Sequence, residues 1–186
     1  KGHFDNAAIA IFIAMIMDTL DGRVARFTHT QTEFGAQLDS LSDMVSFGLA
    51  PALILYSWGL NTLSKAGWLV TFIYAACVAL RLARFNVQHN MLDKRYFKGL
   101  PCPAGAAIIA SLIWSTSQNE LNSATIHIIT AILTVIVSLL MVSNLLFYSF
   151  KDFNLKNKVP FIVILLVVLI YVLISVDPPS ILFIIS

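Results

Sequence analysis

Asp18, Asp21, Asp39 and Asp43 are the residues of this sequence whose types and spacing best suit chemistry. They lie in DTLDGRVARFTHTQTEFGAQLDSLSD, residues 18 to 43, directly after an apolar run. On a helix, Asp18, Asp21, Gly22 and Ala25 are spaced i, i+3, i+4, i+7 and share one face. Gly35, Asp39, Ser42, Asp43 and Ser46 form a second polar stripe in an otherwise apolar segment. The connection between them, roughly Phe27 to Phe34, is short, which predicts antiparallel neighbours whose stripes meet. Four converging carboxylates repel one another, and one or two divalent cations are the simplest compensation. Oxygen-only ligands suit Mg²⁺, Mn²⁺ or Ca²⁺ rather than zinc or copper. Mg²⁺ and its relatives are commonly held by a few carboxylates together with substrate phosphates. A two-metal pair stabilises both attacking and leaving oxygens in a phosphoryl displacement. Gly22, Ala25 and Gly35 leave room for a bulky phosphate ester against the backbone, and Arg26 is placed to neutralise its charge. Ser42 and Ser46 are candidate pocket liners.

The elements that must position these groups are membrane helices. The chain of 186 residues is 58% hydrophobic and 12% charged, against about 25% charged in ordinary soluble domains. Apolar stretches of roughly 17 to 25 residues, long enough to cross the hydrocarbon, recur throughout. They predict spans at about 6–26, 36–58, 67–87, 102–117, 125–147 and 159–176, with PPSILFIIS beginning another. The expected fold is thus an all-α polytopic bundle, one integral-membrane domain over residues 1–186 with no soluble domain left over. Lipid offers no partners for open backbone groups, so helices are the form these runs must take. Asp18 follows only about eleven apolar residues, Ala7 to Met17, roughly half the hydrocarbon thickness. Ionisable groups at such depth normally face a protein cavity or water, with a partner.

Basic residues set the orientation. Arg23, Arg26, Arg81, Arg84, Lys94, Arg95, Lys98, Lys151, Lys156 and Lys158 fall on one side, ten of the twelve Lys and Arg. The aspartates are therefore expected at the cytoplasmic face of the inner membrane. Lys1 then lies outside, which leads us to expect a further span upstream. Cys77 and Cys102 match no metal or redox spacing and are expected as free thiols. His127, alone in an apolar span, is expected to be packed or interfacial, and His29 and His89 to be cytoplasmic. Intramembrane carboxylates also suit a cation transport path, but clustering at one edge, with none further along the spans, leaves such a path without stepping stones. A bland pair of helix ends has no reason to continue its acids along the interior side of the next helix.

Asp18, Asp21, Gly22, Ala25, Arg26, Gly35, Asp39 and Asp43 match every fixed position of D-x2-D-G-x2-A-R-x8-G-x3-D-x3-D. In this the sequence resembles the CDP-alcohol phosphatidyltransferases. The resemblance implies an integral membrane enzyme, usually a homodimer, that moves a phosphatidyl group from a CDP-linked lipid to an alcohol and releases CMP. It implies that Asp18, Asp21, Asp39 and Asp43 ligate a two-metal centre of Mg²⁺ or Mn²⁺, with Ca²⁺ a possible occupant. Asp21, Gly22, Ala25, Arg26 and Gly35 would form the CDP-lipid side, and Asp43 resembles the residue assigned as general base. A carboxylate within reach of an alcohol can take its proton as the oxygen attacks phosphorus. A prenyltransferase also uses intramembrane aspartates and metal, but the D-G-x2-A-R core belongs to the CDP-alcohol pattern.

The motif does not name the alcohol. LRLARFN (Leu80 to Asn86), GLPCPAGA (Gly99 to Ala106) and DSLSDMVSFGLAPA (Asp39 to Ala52) resemble stretches of the phosphatidylserine synthases of that superfamily. The resemblance implies CDP-diacylglycerol and L-serine as substrates, membrane lipids as surroundings and no nucleic acid as partner. Glycerol 3-phosphate or an inositol phosphate is the alternative acceptor. Arg81 and Arg84, at i and i+3 with Asn86 beyond, are candidates for holding a serine carboxylate or lipid phosphate, or for anchoring to headgroups. Lys94, Arg95 and Lys98 could gather anionic substrate or serve as solvated charges. Pro101 and Pro103 are expected to set the entry of the fourth span.

Overall fold

The structure is a computed structural model that describes residues 3–28, 32–88, 96–118 and 123–148. Helix α1 (Phe4–Phe27) carries the first apolar run together with Asp18 and Asp21. It ends at Thr28, whose backbone N–H and hydroxyl both turn back to the Val24 carbonyl at 2.9 Å. Helix α2 (Glu33–Asp43) starts at Thr32, an extended residue whose side chain accepts from the Gly35 N–H at 3.0 Å. That bond satisfies one of the orphan donors of a helix start, and Glu33 in the first turn suits the dipole.

Directly after Asp43 the helix widens into a π-helical stretch (Met44–Leu49) before continuing as α3 (Ala50–Trp58). Pro51 has no N–H to give the Phe47 carbonyl four residues earlier. The buried Tyr74 hydroxyl donates to that oxygen instead, at 2.9 Å. The proline, the widened helix and the tyrosine of a neighbouring helix are thus one unit. Such π segments collect at functional sites, and here one begins at the residue after the last aspartate.

A 3₁₀ turn (Leu60–Leu63) leads to α4 (Ser64–Gln88). A Cβ at Gly67 would lie 1.7 Å from the Leu60 carbonyl oxygen, so only glycine lets the turn fold back on α4. Helix α5 (Cys102–Gln118) begins between Pro101 and Pro103, as expected, because a first-turn proline forfeits no helical bond. Helix α6 (Ala124–Val142) is capped by Ser123, whose side chain accepts from Thr125 N–H.

Helix α4 packs on α6 and α1 on α5, with α3 against α1, α4 and α5. Phe47, Leu55, Tyr74, Val78, Ile109 and Ile113 form the centre of the core. Helix α6 turns His127, Thr130, Thr134 and Ser138 inward and Ile128, Ile132, Ile136 and Leu139 outward. The inward hydroxyls of Thr134 and Ser138 bond to carbonyls one turn back, at 2.8 and 2.7 Å. Small and polar residues inside with aliphatic ones outside is the arrangement of a helix packed in lipid. Among the described residues, Glu33–Trp58, Leu60–Val87 and Ala124–Val142 are long and apolar enough to cross a membrane. The chain is a helical membrane protein.

The span count is met in part. Among the described residues three helices reach crossing length and apolarity, while α1 carries Asp5, Asp18 and Asp21 and the apolar part of α5 is short. The spans expected at 159–176 and beyond lie outside the described residues. The architecture is helical as expected, with one short ribbon added: β1 (Tyr96–Lys98) and β2 (Leu146–Tyr148) pair antiparallel, Phe97 opposite Phe147. Three-residue strands are too short to show alternation in a sequence. The fifth span, expected to reach 147, ends at Val142 because Ser143 turns extended and feeds the ribbon.

Candidate active site

Asp18 and Asp21 stand one turn apart on α1, and Asp39 stands one turn before Asp43 on α2. One carboxylate oxygen each from Asp18, Asp21 and Asp39 lies within 4.8 Å of the others. Asp18 is half-buried, while Asp21 and Asp39 open to the surface. The Asp43 carboxyl, also half-buried, lies beside that of Asp18. The two stripes thus come together, as the short connection requires.

The charged groups acting on Asp43 are the other three carboxylates, Asp18 foremost. A cluster of hard oxygen donors from two helices, all of one sign, fits a hard divalent cation such as Mg²⁺ or Mn²⁺. Asp18, Asp21 and Asp39 would hold it, with Asp43 beside them.

Nothing lies within 4 Å of a Cβ built on Gly22, so open space adjoins the acids there. Gly35 is tighter: its N–H serves the Thr32 cap, and a Cβ would meet Thr32 Oγ1 at 3.1 Å. Ala25 and Arg26 lie in the last turns of α1, and their side chains are outside the description. Ser42 is exposed on α2. Ser46 falls inside the π-helical stretch, where the spacing that aligned it with the aspartates no longer holds.

The other candidates line the ends of α4 and α6. Asn86 bonds to Ser40, with Nδ2 donating to Oγ at 3.0 Å, and so ties the end of α4 to the aspartate helix. The Arg84 guanidinium is taken up by the last turn of α6, donating to the Val142 and Ser143 carbonyls at 3.1 and 3.4 Å and to the Asn144 side chain. Its described partners are therefore structural, as suits a cation at a helix C-terminus. Arg81 sits one turn earlier and donates to the Cys102 sulfur at 3.7 Å. Its Nε is buried with no partner among the described residues.

His29, His89, Lys94 and Arg95 lie outside the described residues, as does the side chain of Lys98. His127 is packed, as expected: it is 4% exposed, meets Thr62 Oγ1 through Nδ1 at 2.9 Å and sits edge-on to Trp58. Cys77 and Cys102 are free and buried. Ser40 and Cys102 escaped the sequence reading because each derives its place from a partner more than twenty residues away. Their only sequence signal is proximity to the aspartates and to the prolines.

The family model described as CDP-alcohol phosphatidyltransferase matches residues 1–140. Three similar proteins carry the name CDP-diacylglycerol–serine O-phosphatidyltransferase. That of Helicobacter pylori (strain ATCC 700392 / 26695) is 32% identical, over 91% of this chain and 71% of its own. That of Methanocaldococcus jannaschii is 40% identical over 79% and 66%, respectively. The Bacillus subtilis protein is 37% identical over 82% and 80%. With a match across most of its length and relatives at these identities, the chain belongs to the CDP-alcohol phosphatidyltransferase family.

Proposed function

We propose that the protein transfers the phosphatidyl group of CDP-diacylglycerol to the hydroxyl of L-serine, forming phosphatidylserine and CMP. The observation that carries this is the meeting of the Asp18, Asp21 and Asp39 oxygens within 4.8 Å, with Asp43 alongside. The names of the relatives support serine as the acceptor.

In this reading Asp43 takes the serine hydroxyl proton as the oxygen bonds to the lipid-side phosphorus. The bond from that phosphorus to the bridging oxygen breaks, and CMP leaves with the oxygen. Asp18, Asp21 and Asp39 would hold a divalent metal, which would supply charge stabilisation to the phosphoryl oxygens. The open space beside Gly22 admits the nucleotide. Arg26 meets phosphate. Arg81, with a donor to spare, receives the serine carboxylate.

The same proposal makes the chain one integral-membrane domain of six spans. It works as a homodimer in the inner membrane with its site at the cytoplasmic face, where the basic residues gather. Purified protein with CDP-diacylglycerol, Mg²⁺ or Mn²⁺ and a panel of radiolabelled acceptors tests it. Label from serine is expected in lipid. Label from glycerol 3-phosphate or an inositol phosphate entering lipid while serine does not would overturn the acceptor.

A further inference from the structure

We propose that Cys102 is a positioning residue: its thiol orients the Arg81 guanidinium toward the acceptor's carboxylate without quenching its charge. The inference rests on the serine reading and deepens it. Cys102 is the first residue of α5 and 1% exposed, so its sulfur is fixed by packing. The turn before it is anchored to α6: Gly99 N–H donates to the Leu145 carbonyl at 2.9 Å and Leu100 N–H to that of Leu140 at 3.1 Å. One turn beyond Arg81, Arg84 is bound to the same end of α6. The ends of α4, α5 and α6 therefore form one fixed frame, and Arg81 projects from it onto Cys102.

The helix of Asp43 runs antiparallel to α4: Asn86 bonds to Ser40 at 3.0 Å, and a Cβ on Gly48 would lie 3.1 Å from Val78 Cγ1, so Arg81 and Asp43 both fall between these two contacts. In serine, three covalent bonds separate the hydroxyl oxygen from the carboxylate carbon. A group that binds the carboxylate must therefore sit close to the group that takes the hydroxyl proton. Arg81 and Asp43 meet that condition by lying between the same two contacts of the antiparallel helices.

The choice of a thiol matters. A guanidinium carries five donors in a planar fork. A carboxylate neighbour would occupy two of them and cancel the charge. A neutral sulfur takes one donor weakly, fixes the fork and leaves its charge for an anion. The lipid diphosphate is also anionic, so the two substrates must be separated by experiment.

Steady-state kinetics of wild type, Cys102→Ala and Cys102→Ser, with serine and CDP-diacylglycerol varied in turn, provide the test. Cys102→Ala should raise the KM for serine about three- to tenfold, the worth of one hydrogen bond. The KM for CDP-diacylglycerol and kcat should stay within twofold. Cys102→Ser restores an acceptor and should recover the serine KM. In an Arg81→Lys background, Cys102→Ala should add no further change. Should the alanine variant not fold, Cys102→Val keeps the volume and removes the acceptor. An unchanged serine KM, or equal loss in both KM values and kcat, overturns the proposal. Wild type that uses a different alcohol and not serine instead overturns the functional reading on which it stands.

Discussion

If the aspartate cluster holds a divalent cation, replacing one ligand by its neutral isostere should push stability in opposite directions without and with metal. Asp39 is the residue to change, because its carboxylate lies within 4.8 Å of both Asp18 and Asp21 and is itself exposed. Two unit charges at that separation repel by about 3.5 kcal/mol at an effective dielectric near 20 and by about 0.9 kcal/mol in bulk water. The exposure of Asp21 and Asp39 puts the repulsion near the lower value. Asp39→Asn relieves two such pairs, so the metal-free protein should gain about 2 kcal/mol. For a chain of this length that is a rise in Tm of about 4–8 °C. Wild type at a metal concentration of 100 Kd should gain about 2.7 kcal/mol, or about 5–10 °C. The variant, short of one ligand, should gain little at the same concentration. Thermal unfolding in detergent, followed by circular dichroism with chelator and then with Mn²⁺ or Mg²⁺, reads both effects. A variant that is less stable without metal, or that keeps the full metal-induced shift, would falsify the cluster as a cation site.

Other outcomes follow from single contacts. Asp43→Asn should lower CMP release by a factor of about 10²–10⁴, the usual share of a general base, while the helical circular dichroism persists; retained turnover removes Asp43 from that role. Tyr74→Phe leaves the Phe47 carbonyl without its donor beside Pro51. It should destabilise the protein by about 1–3 kcal/mol, read as a fall in Tm. Gly99→Ala should lower Tm by several degrees, because residue 99 has φ +79° and a Cβ there would lie 2.3 Å from the Met141 carbonyl oxygen. An unchanged Tm would mean that the ribbon does not need that turn.

The helix that carries Asp39 and Asp43 differs sharply along its length. Its first eleven residues bury nothing, while Phe47, Gly48, Pro51, Ala52 and Leu55 beyond them are buried. The π-helical stretch joins the two parts, held by Tyr74 from outside. The aspartates thus ride on an exposed extension whose base is clamped in the core. Asn86 adds a second tie at Ser40. Together these contacts fix the acids of α2 against those of α1.

Much of this was legible in the residues. Helix positions followed from the apolar runs, since a chain in lipid has few other ways to satisfy its backbone. The aspartate stripes followed from helical spacing, because Asp18 and Asp21, like Asp39 and Asp43, stand on regular α segments where i, i+3 and i+4 share a face. Local periodicity ends at Asp43, and so did the reach of the pattern. Ser46 lies where the helix widens beside Pro51 and Tyr74, so α-helical spacing does not carry its place relative to the aspartates. The ribbon of Tyr96–Lys98 with Leu146–Tyr148 went unseen because pairing over some fifty residues leaves no local mark. Arg81 and Arg84 read alike in sequence, three residues apart at one helix end. Only the tertiary structure separated them, giving Arg84 to the carbonyls at the end of α6 and Arg81 to the buried sulfur of Cys102. Spacing along a helix determines which side chains share a face, whereas the neighbour each one meets depends on how the helices pack.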